Sequence, residues 1–130
     1  MIVIDASAAL DILLGTSAAK DVMARLSKRG ETIHAPHLLD IEVAQVIRRR
    51  VIYGDISSDR GSAALTDLSK IAIQRYPHDF LLPRIWELRH RLTAYDAAYI
   101  ALAESLDAPL LTRDRRIAAA AGHYAQVLVV

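Results

Sequence analysis

Apolar residues are distributed along the chain in two alternating patterns. Short, mainly apolar runs, typical of strands buried on both faces, occur at residues 1–5, 31–36, 71–77, 108–112 and 125–130. Segments with apolar residues at helical spacing lie between them and predict helices over 7–15, 18–29, 37–54, 57–70, 78–92, 93–107 and 113–122. This alternation predicts an α/β domain in which a parallel central sheet of four to five strands lies between two layers of helices.

Individual residues refine the predicted helices. Ser7 is a candidate N-cap of the first helix, and Gly15 is a candidate C-cap. We expect Trp86 and Leu88 to lie in the core. Tyr99 lies in an Ala-rich helix and is expected to serve mainly in packing.

Composition narrows the class of protein. A chain of 130 residues with 53% hydrophobic residues fits one globular domain, and no apolar run reaches transmembrane length. There is no cysteine, which suits a reducing compartment, and we expect a cytoplasmic protein without membrane association. Net charge is only +1, but 13 of the 16 cationic residues are arginine. Arginine suits phosphate contacts, although a GC-rich genome would also enrich it.

Two acidic residues follow predicted strands. Asp5 ends the first strand, and Asp114 lies just past the strand at residues 108–112. Ligands of open α/β sheets bind beyond the carboxyl ends of the strands. We therefore expect the two carboxylates to share one crevice.

Two further acids lie near the starts of apolar helices. Glu42 has mainly apolar neighbours one helical turn away, so it lies on or beside the inward face. Asp96 begins a helix that is apolar nearly all round. Thr93 and Asp96 also match a capping box, so a purely structural role for Asp96 stays open.

A cluster of buried carboxylates needs compensating positive charge, since otherwise their pKa values rise until some become neutral. No lysine is near these four acids in the sequence. Oxygen ligands without cysteine or clustered histidine suit Mg²⁺ or Mn²⁺ rather than Zn²⁺. Such ions commonly act on phosphates, with water retained in their coordination shell.

The chain resembles the PIN-domain ribonucleases, and most closely the VapC toxins of bacterial toxin–antitoxin pairs. The resemblance covers essentially residues 1–130 as one PIN domain. It rests on the segments IVIDASAAL, APHLLDIEVAQVIRRR and LTAYDAAYIALAESLDAPLLTRDRRIA. The last of these is the most specific.

The resemblance implies a PIN-like three-layer αβα fold and a metal-dependent endoribonuclease that hydrolyses RNA phosphodiester bonds. It also implies a cognate VapB-type antitoxin and a homodimer. The implied catalytic and metal-binding residues are Asp5, Glu42, Asp96 and Asp114, with supporting hydroxyls on Ser7 and Thr112. Candidate RNA contacts near the site are Arg113, Arg115 and Arg116.

Two other classes of function remain as alternatives. A Mg-binding phosphohydrolase that forms an aspartyl phosphate also has an acid after its first strand, but it needs a second acid two residues on, where this chain has Ser7. In a non-catalytic interaction module, the acids would serve only as helix caps and solvated groups.

Overall fold

The computed structural model describes residues 1–130 and contains the alternation of strands and helices that the sequence predicts. The five strands are β1 (Ile2–Ile4), β2 (Ile33–Pro36), β3 (Ile73–Tyr76), β4 (Leu110–Thr112) and β5 (Val127–Val129). The seven α-helices are α1 (Ala6–Leu14), α2 (Ala19–Leu26), α3 (Leu38–Ile52), α4 (Ser58–Lys70), α5 (Leu82–Glu87), α6 (Ala94–Leu106) and α7 (Arg115–Ala119). The fold is the predicted three-layer α/β arrangement.

The strands form one parallel sheet in the order β3-β2-β1-β4-β5. Val3 of β1 is in register with His34 on one side and with Leu110 on the other. Strand order therefore reverses between β1 and β4, and such a switch point opens a crevice at the carboxyl ends of the strands. The segments after β1 and β4 meet at this crevice.

The core lies around the two central strands. Every residue of β1 and β4 is buried, which explains the apolar runs Ile2–Ile4 and Leu110–Leu111. A polar residue, Asp5 or Thr112, stands at the carboxyl end of each run. Helix α6 is buried from Ala97 to Ala103 because small alanine side chains let it pack closely against the sheet and the neighbouring helices. No helix in the structure is both long enough and apolar enough to span a membrane.

The first helix begins differently from the sequence-based expectation. Asp5, not Ser7, is the N-cap of α1, and its side chain accepts a hydrogen bond from the Ala8 amide. Ser7 lies within the helix, where its hydroxyl donates to the Asp5 carboxylate. Gly15 is the C-cap, as predicted, with a left-handed φ of 60°.

The predicted helix over 78–92 is divided. A 3₁₀ turn at Asp79–Leu81 leads into α5, which ends at Glu87. Leu88 is buried as expected, but the expectation for Trp86 was wrong, since it is 68% exposed. The buried and half-buried residues Leu81, Ile85, Leu88 and Leu92 follow a helical spacing that leaves Trp86 outside the apolar face.

Candidate active site

Asp5 lies at the centre of a hydrogen-bond network after β1. The Ser7 hydroxyl donates to its Oδ1 at 2.6 Å, and the Ala8 amide donates to the same oxygen at 3.1 Å. The Thr112 hydroxyl donates to Oδ2. Burial raises the pKa of Asp5, and these hydrogen bonds partly counteract the rise. The carboxylate is thus held in one orientation at the carboxyl end of the sheet.

Asp114 is connected to Asp5 by a hydrogen-bonded residue between them, Thr112. Its amide donates to Thr112 Oγ1 at 2.9 Å, so Thr112 joins the two acids. Asp114 is also the N-cap of α7, and Arg116 binds its carboxylate with Nε at 3.0 Å and Nη2 at 2.7 Å. The Arg116 hydrogen bonds lower the pKa of Asp114. Arg116 is therefore the local counter-ion of this acid.

Glu42 is half-buried in the second turn of α3, and its Oε1 is buried without a hydrogen-bond partner. Desolvation raises the pKa of Glu42, and the negative charges of Asp96 and Asp5 raise it further. The nearby Tyr99 hydroxyl lowers the pKa of Glu42. This hydroxyl is buried, and it forms no hydrogen bond of ordinary geometry. Tyr99 packs in the core, as expected, but its hydroxyl also faces this site.

Asp96 is the third residue of α6. Thr93 is the N-cap of that helix, and its hydroxyl accepts a hydrogen bond from the Asp96 amide at 3.2 Å. The Thr93 cap is thus present, but the Asp96 carboxylate also belongs to the acidic cluster. Burial is the main cause that raises the pKa of Asp96, and the negative charge of Asp114 raises it further. The positive charge of Arg116 lowers it.

Charge interactions join Glu42 to Asp5 and to Asp96, and Asp96 to Asp114, so the four predicted acids form one chain of neighbouring carboxyl groups. In this arrangement, no three or more acidic or histidine side chains form a ready-made metal-ligand group. The donor chemistry nevertheless fits a hard divalent cation, because all donors are oxygens and Glu42 Oε1 is buried without a partner. The raised pKa values of Asp5, Glu42 and Asp96 mark a region where added positive charge is favourable.

The three candidate arginines have different surroundings. Arg115 is exposed, and Arg116 binds Asp114. The Arg113 side chain turns to Asp11 of α1, with Nη1 2.9 Å from Oδ1. Sequence reasoning missed Asp11, although its position as a lone acid in the apolar stretch AALDILL is the same signal that singled out Asp96.

Comparison with known proteins identifies the family. The PIN-domain family model matches residues 2–123. Ribonuclease VapC1 of Mycobacterium tuberculosis (strain ATCC 25618 / H37Rv) is 45% identical over 129 residues, covering 98% of this chain and 96% of the relative. Ribonuclease VapC12 of the same strain is 42% identical over 130 residues, covering 100% of this chain and 99% of the relative.

Solved structures share the fold at low sequence identity. Mycobacterium tuberculosis VapC20 has a TM-score of 0.72 at 14% identity, over 95% of this chain and 97% of that chain. VapBC2 from Rickettsia felis, bound to a DNA fragment from its promoter, contains a chain with a TM-score of 0.72 at 11% identity, over 98% of this chain and 99% of that chain. With the match of the family model and the identity to VapC1 and VapC12, this chain belongs to the PIN-domain family, among the VapC ribonucleases.

Proposed function

We propose that this protein is a Mg²⁺- or Mn²⁺-dependent endoribonuclease and the toxin of a VapBC-type pair. The observation that carries the proposal is the acidic cluster at the β1–β4 switch point, where burial raises three carboxyl pKa values and leaves Glu42 Oε1 without a partner. The names of its relatives, Ribonuclease VapC1 and VapC12, support the same activity.

Asp5, Glu42 and Asp96 are the residues we assign to hold the cation, with Asp114 as a fourth ligand or a group that orients water. When bound, a divalent ion would lower the pKa of water and neutralise charge on the phosphoryl oxygens. Asp5 suits a ligand role because three hydrogen bonds fix its orientation before any ligand arrives. A cation at Asp114 would compete with the Arg116 guanidinium, which donates to both oxygens of this carboxylate.

RNA binding in this proposal relies on backbone contacts near the acids. Arg115 and Arg116 follow Asp114 directly and are exposed, so either can meet an RNA phosphate beside the cleavage site. Arg113 is a weaker candidate, because a phosphate would have to compete with buried Asp11 for its guanidinium.

The partner we propose is a VapB-type antitoxin. The Rickettsia felis neighbour is a VapBC2 assembly, and its chain shares this fold over nearly its whole length. We also propose that the chain forms a homodimer, as the family resemblance implies, and that it acts in the cytoplasm, where its RNA substrate is found.

The aspartyl-phosphate alternative loses support from both family and geometry. Position 7 carries a serine whose hydroxyl donates to Asp5, and no second acid stands there to act as a general acid.

Single-turnover cleavage of defined RNAs by the purified protein tests the proposal. We expect cleavage with Mg²⁺ or Mn²⁺, loss of cleavage with a chelator, and recovery when the metal is restored in excess. Cleavage that persists in chelator, or that Asp5→Asn leaves at the wild-type rate, would contradict the proposal. Arg49→Ala, purified in the same way, serves as the control for a contaminating nuclease and should retain cleavage at saturating RNA. Arg49 is exposed near the end of α3 and is not one of the proposed cation ligands.

A further inference from the structure

We propose that Asp11 is a positioning residue of the active site: it holds Arg113 and thereby aligns the β4–α7 loop, with Thr112 and Asp114, against Asp5. The proposal rests on the proposed nuclease function for its kinetic consequences. Its structural consequence, the order of the loop, is independent of activity.

Asp11 is a buried acid that the proposed chemistry does not use. It is 3% exposed, in the middle of α1. Its Oδ1 accepts hydrogen bonds from the Thr16 hydroxyl at 2.5 Å and from Arg113 Nη1 at 2.9 Å. Its Oδ2 is buried without a partner. The Arg113 side chain is 44% exposed, but its loss would leave the buried Asp11 carboxylate without a compensating cation.

Helix α1 presents two anchors to one loop residue. Ser7 and Asp11 are four residues apart and therefore lie on the same face of the helix. The Ser7 hydroxyl accepts a hydrogen bond from the Arg113 amide at 3.0 Å, and Asp11 binds the Arg113 guanidinium. Main chain and side chain of Arg113 are thus both attached to α1.

These anchors complete a closed set of hydrogen bonds around Asp5. The Arg113 amide donates to Ser7, which donates to Asp5 Oδ1. The Asp114 amide donates to Thr112, which donates to Asp5 Oδ2. Two successive loop amides therefore set the orientation of both hydroxyls that hold Asp5. If the Asp11–Arg113 pair is lost, one end of this loop is released and the acids lose their alignment.

The Asp11–Arg113 pair allows two roles to be distinguished: positioning of the β4–α7 loop by Asp11, and direct RNA binding by Arg113. If the main role of Arg113 were to bind a phosphate, Asp11→Asn would release its guanidinium and strengthen RNA binding. If Asp11 positions the loop, the same change loosens the active site and slows cleavage at saturating RNA. The two accounts predict opposite signs for one variant.

The experiment compares Asp11→Asn, Arg113→Gln and the double variant. The matched control is Glu104→Gln, because Glu104 has a similarly buried side chain paired with Arg84 at a distance from the crevice. We expect Asp11→Asn and Arg113→Gln each to reduce the amide-exchange protection of position 113 and of Asp114 about 10-fold or more. We expect Mn²⁺ affinity and the single-turnover rate constant to fall about 10- to 100-fold, as for other groups that orient metal ligands.

The double variant should be no worse than the single ones, because the two residues act as one unit. Arg113→Lys keeps the positive charge beside Asp11 and should recover part of the loss. If Asp11→Asn does not fold, the comparison of Arg113→Lys with Arg113→Gln provides the test. Glu104→Gln should lower the melting temperature without altering the protection of the Arg113 and Asp114 amides.

Three results would overturn the proposal. Tighter RNA binding by Asp11→Asn with unchanged cleavage at saturation would make Arg113 an RNA contact. Unchanged protection of the Arg113 and Asp114 amides would make the pair merely structural. An equal kinetic loss in Glu104→Gln would indicate general destabilisation. If the wild-type protein cleaves no RNA, the proposed function fails, while amide exchange still tests the positioning role.

Discussion

The Thr112 hydroxyl donates a hydrogen bond to Asp5 Oδ2 although the two residues are 107 positions apart in the sequence. The same hydroxyl oxygen accepts a hydrogen bond from the Asp114 amide at 2.9 Å. Thr112 is fully buried, so bulk water does not reach these hydrogen bonds. One side chain at the end of β4 thus orients acids from two neighbouring strands.

Replacing Thr112 with valine should both destabilise the fold and misalign the site. Valine preserves the shape but leaves Asp5 Oδ2 and the Asp114 amide without their shared partner. We expect a loss of about 1–3 kcal/mol in the free energy of unfolding, measured by urea denaturation, together with slower single-turnover cleavage. Thr112→Ser retains the hydroxyl and should keep most of the activity. Similar cleavage by the serine and valine variants would show that the hydroxyl is dispensable.

Asp5→Asn should separate chemistry from binding. If Asp5 is a metal ligand, the rate constant at saturating RNA should fall about 100-fold or more, because charge stabilisation at the phosphoryl group is lost. RNA affinity should stay equal or improve, because one repulsive carboxylate is gone. Growth inhibition on expression without the antitoxin should disappear.

Arg49→Ala should have the opposite effect to Asp5→Asn, because it removes a positive charge outside the acidic cluster. Arg49 is exposed near the end of α3, two helical turns beyond Glu42, and is not one of the proposed cation ligands. If it contacts RNA, affinity should fall and the salt dependence of binding should become shallower, while the rate at saturation stays near wild type. A large loss of rate at saturation would assign Arg49 a role in chemistry.

Arg116→Ala should strengthen binding of a divalent cation. Removing the guanidinium frees Asp114 Oδ2 and leaves Oδ1 with only the backbone amide of residue 116, so the pKa of Asp114 moves part of the way back toward its ordinary value. We expect about two- to fivefold tighter Mn²⁺ binding by calorimetry, a modest change because the ion pair is solvent-exposed. Arg115→Ala is the matched control, since Arg115 is the adjacent exposed arginine and forms none of the ion pairs. Equal affinity in both variants would argue against Arg116 as a competing counter-ion.

The stability of the metal-free protein should decrease as pH rises above the ordinary carboxyl range. The folded-state pKa values of Asp5, Glu42 and Asp96 are raised, mainly by burial, so the folded state keeps protons that the unfolded chain releases near a pH of about 4. Their destabilising effect therefore grows from about pH 4 upward through the raised pKa values. Asp114 behaves oppositely, because its lowered pKa contributes stability that is lost on acidification.

A divalent cation competes with protons for the same carboxylate oxygens. Mn²⁺ should therefore raise the melting temperature more at pH 8 than at pH 5. Thermal denaturation with and without Mn²⁺ at both pH values checks this expectation. Equal shifts at the two pH values would mean that the cation binds elsewhere.

Tyr99→Phe should shift the acidic limb of the cleavage profile to higher pH. The Tyr99 hydroxyl lowers the pKa of Glu42, so its removal lets that pKa rise further. A pH series of single-turnover rates measures the shift. Tyr95→Phe, on the same helix but 63% exposed, should leave the profile unchanged. An unaltered profile in Tyr99→Phe would mean that Glu42 does not control that limb.

Much of the fold is encoded in local sequence. The apolar runs at β1 and β4 and the helical spacing of α3 and α6 are short-range signals, because burial on two faces or on one helical stripe selects apolar residues at fixed intervals. Thr93 was recognisable as a cap for the same reason. The predicted single helix over 78–92 failed because a 3₁₀ turn and a short helix can preserve a similar apolar spacing.

By itself, the sequence determined the α/β class and which four acids follow strands or begin helices, since both depend on residues within a few positions of one another. Only the tertiary structure decided which partner each polar group takes. The Thr112 hydroxyl donates to Asp5, and Arg113 binds buried Asp11, although each pair is more than 100 positions apart in the sequence. Hydrogen bonds and ion pairs form between groups that the sheet order brings together, so their partners depend on distances in space that local spacing does not specify.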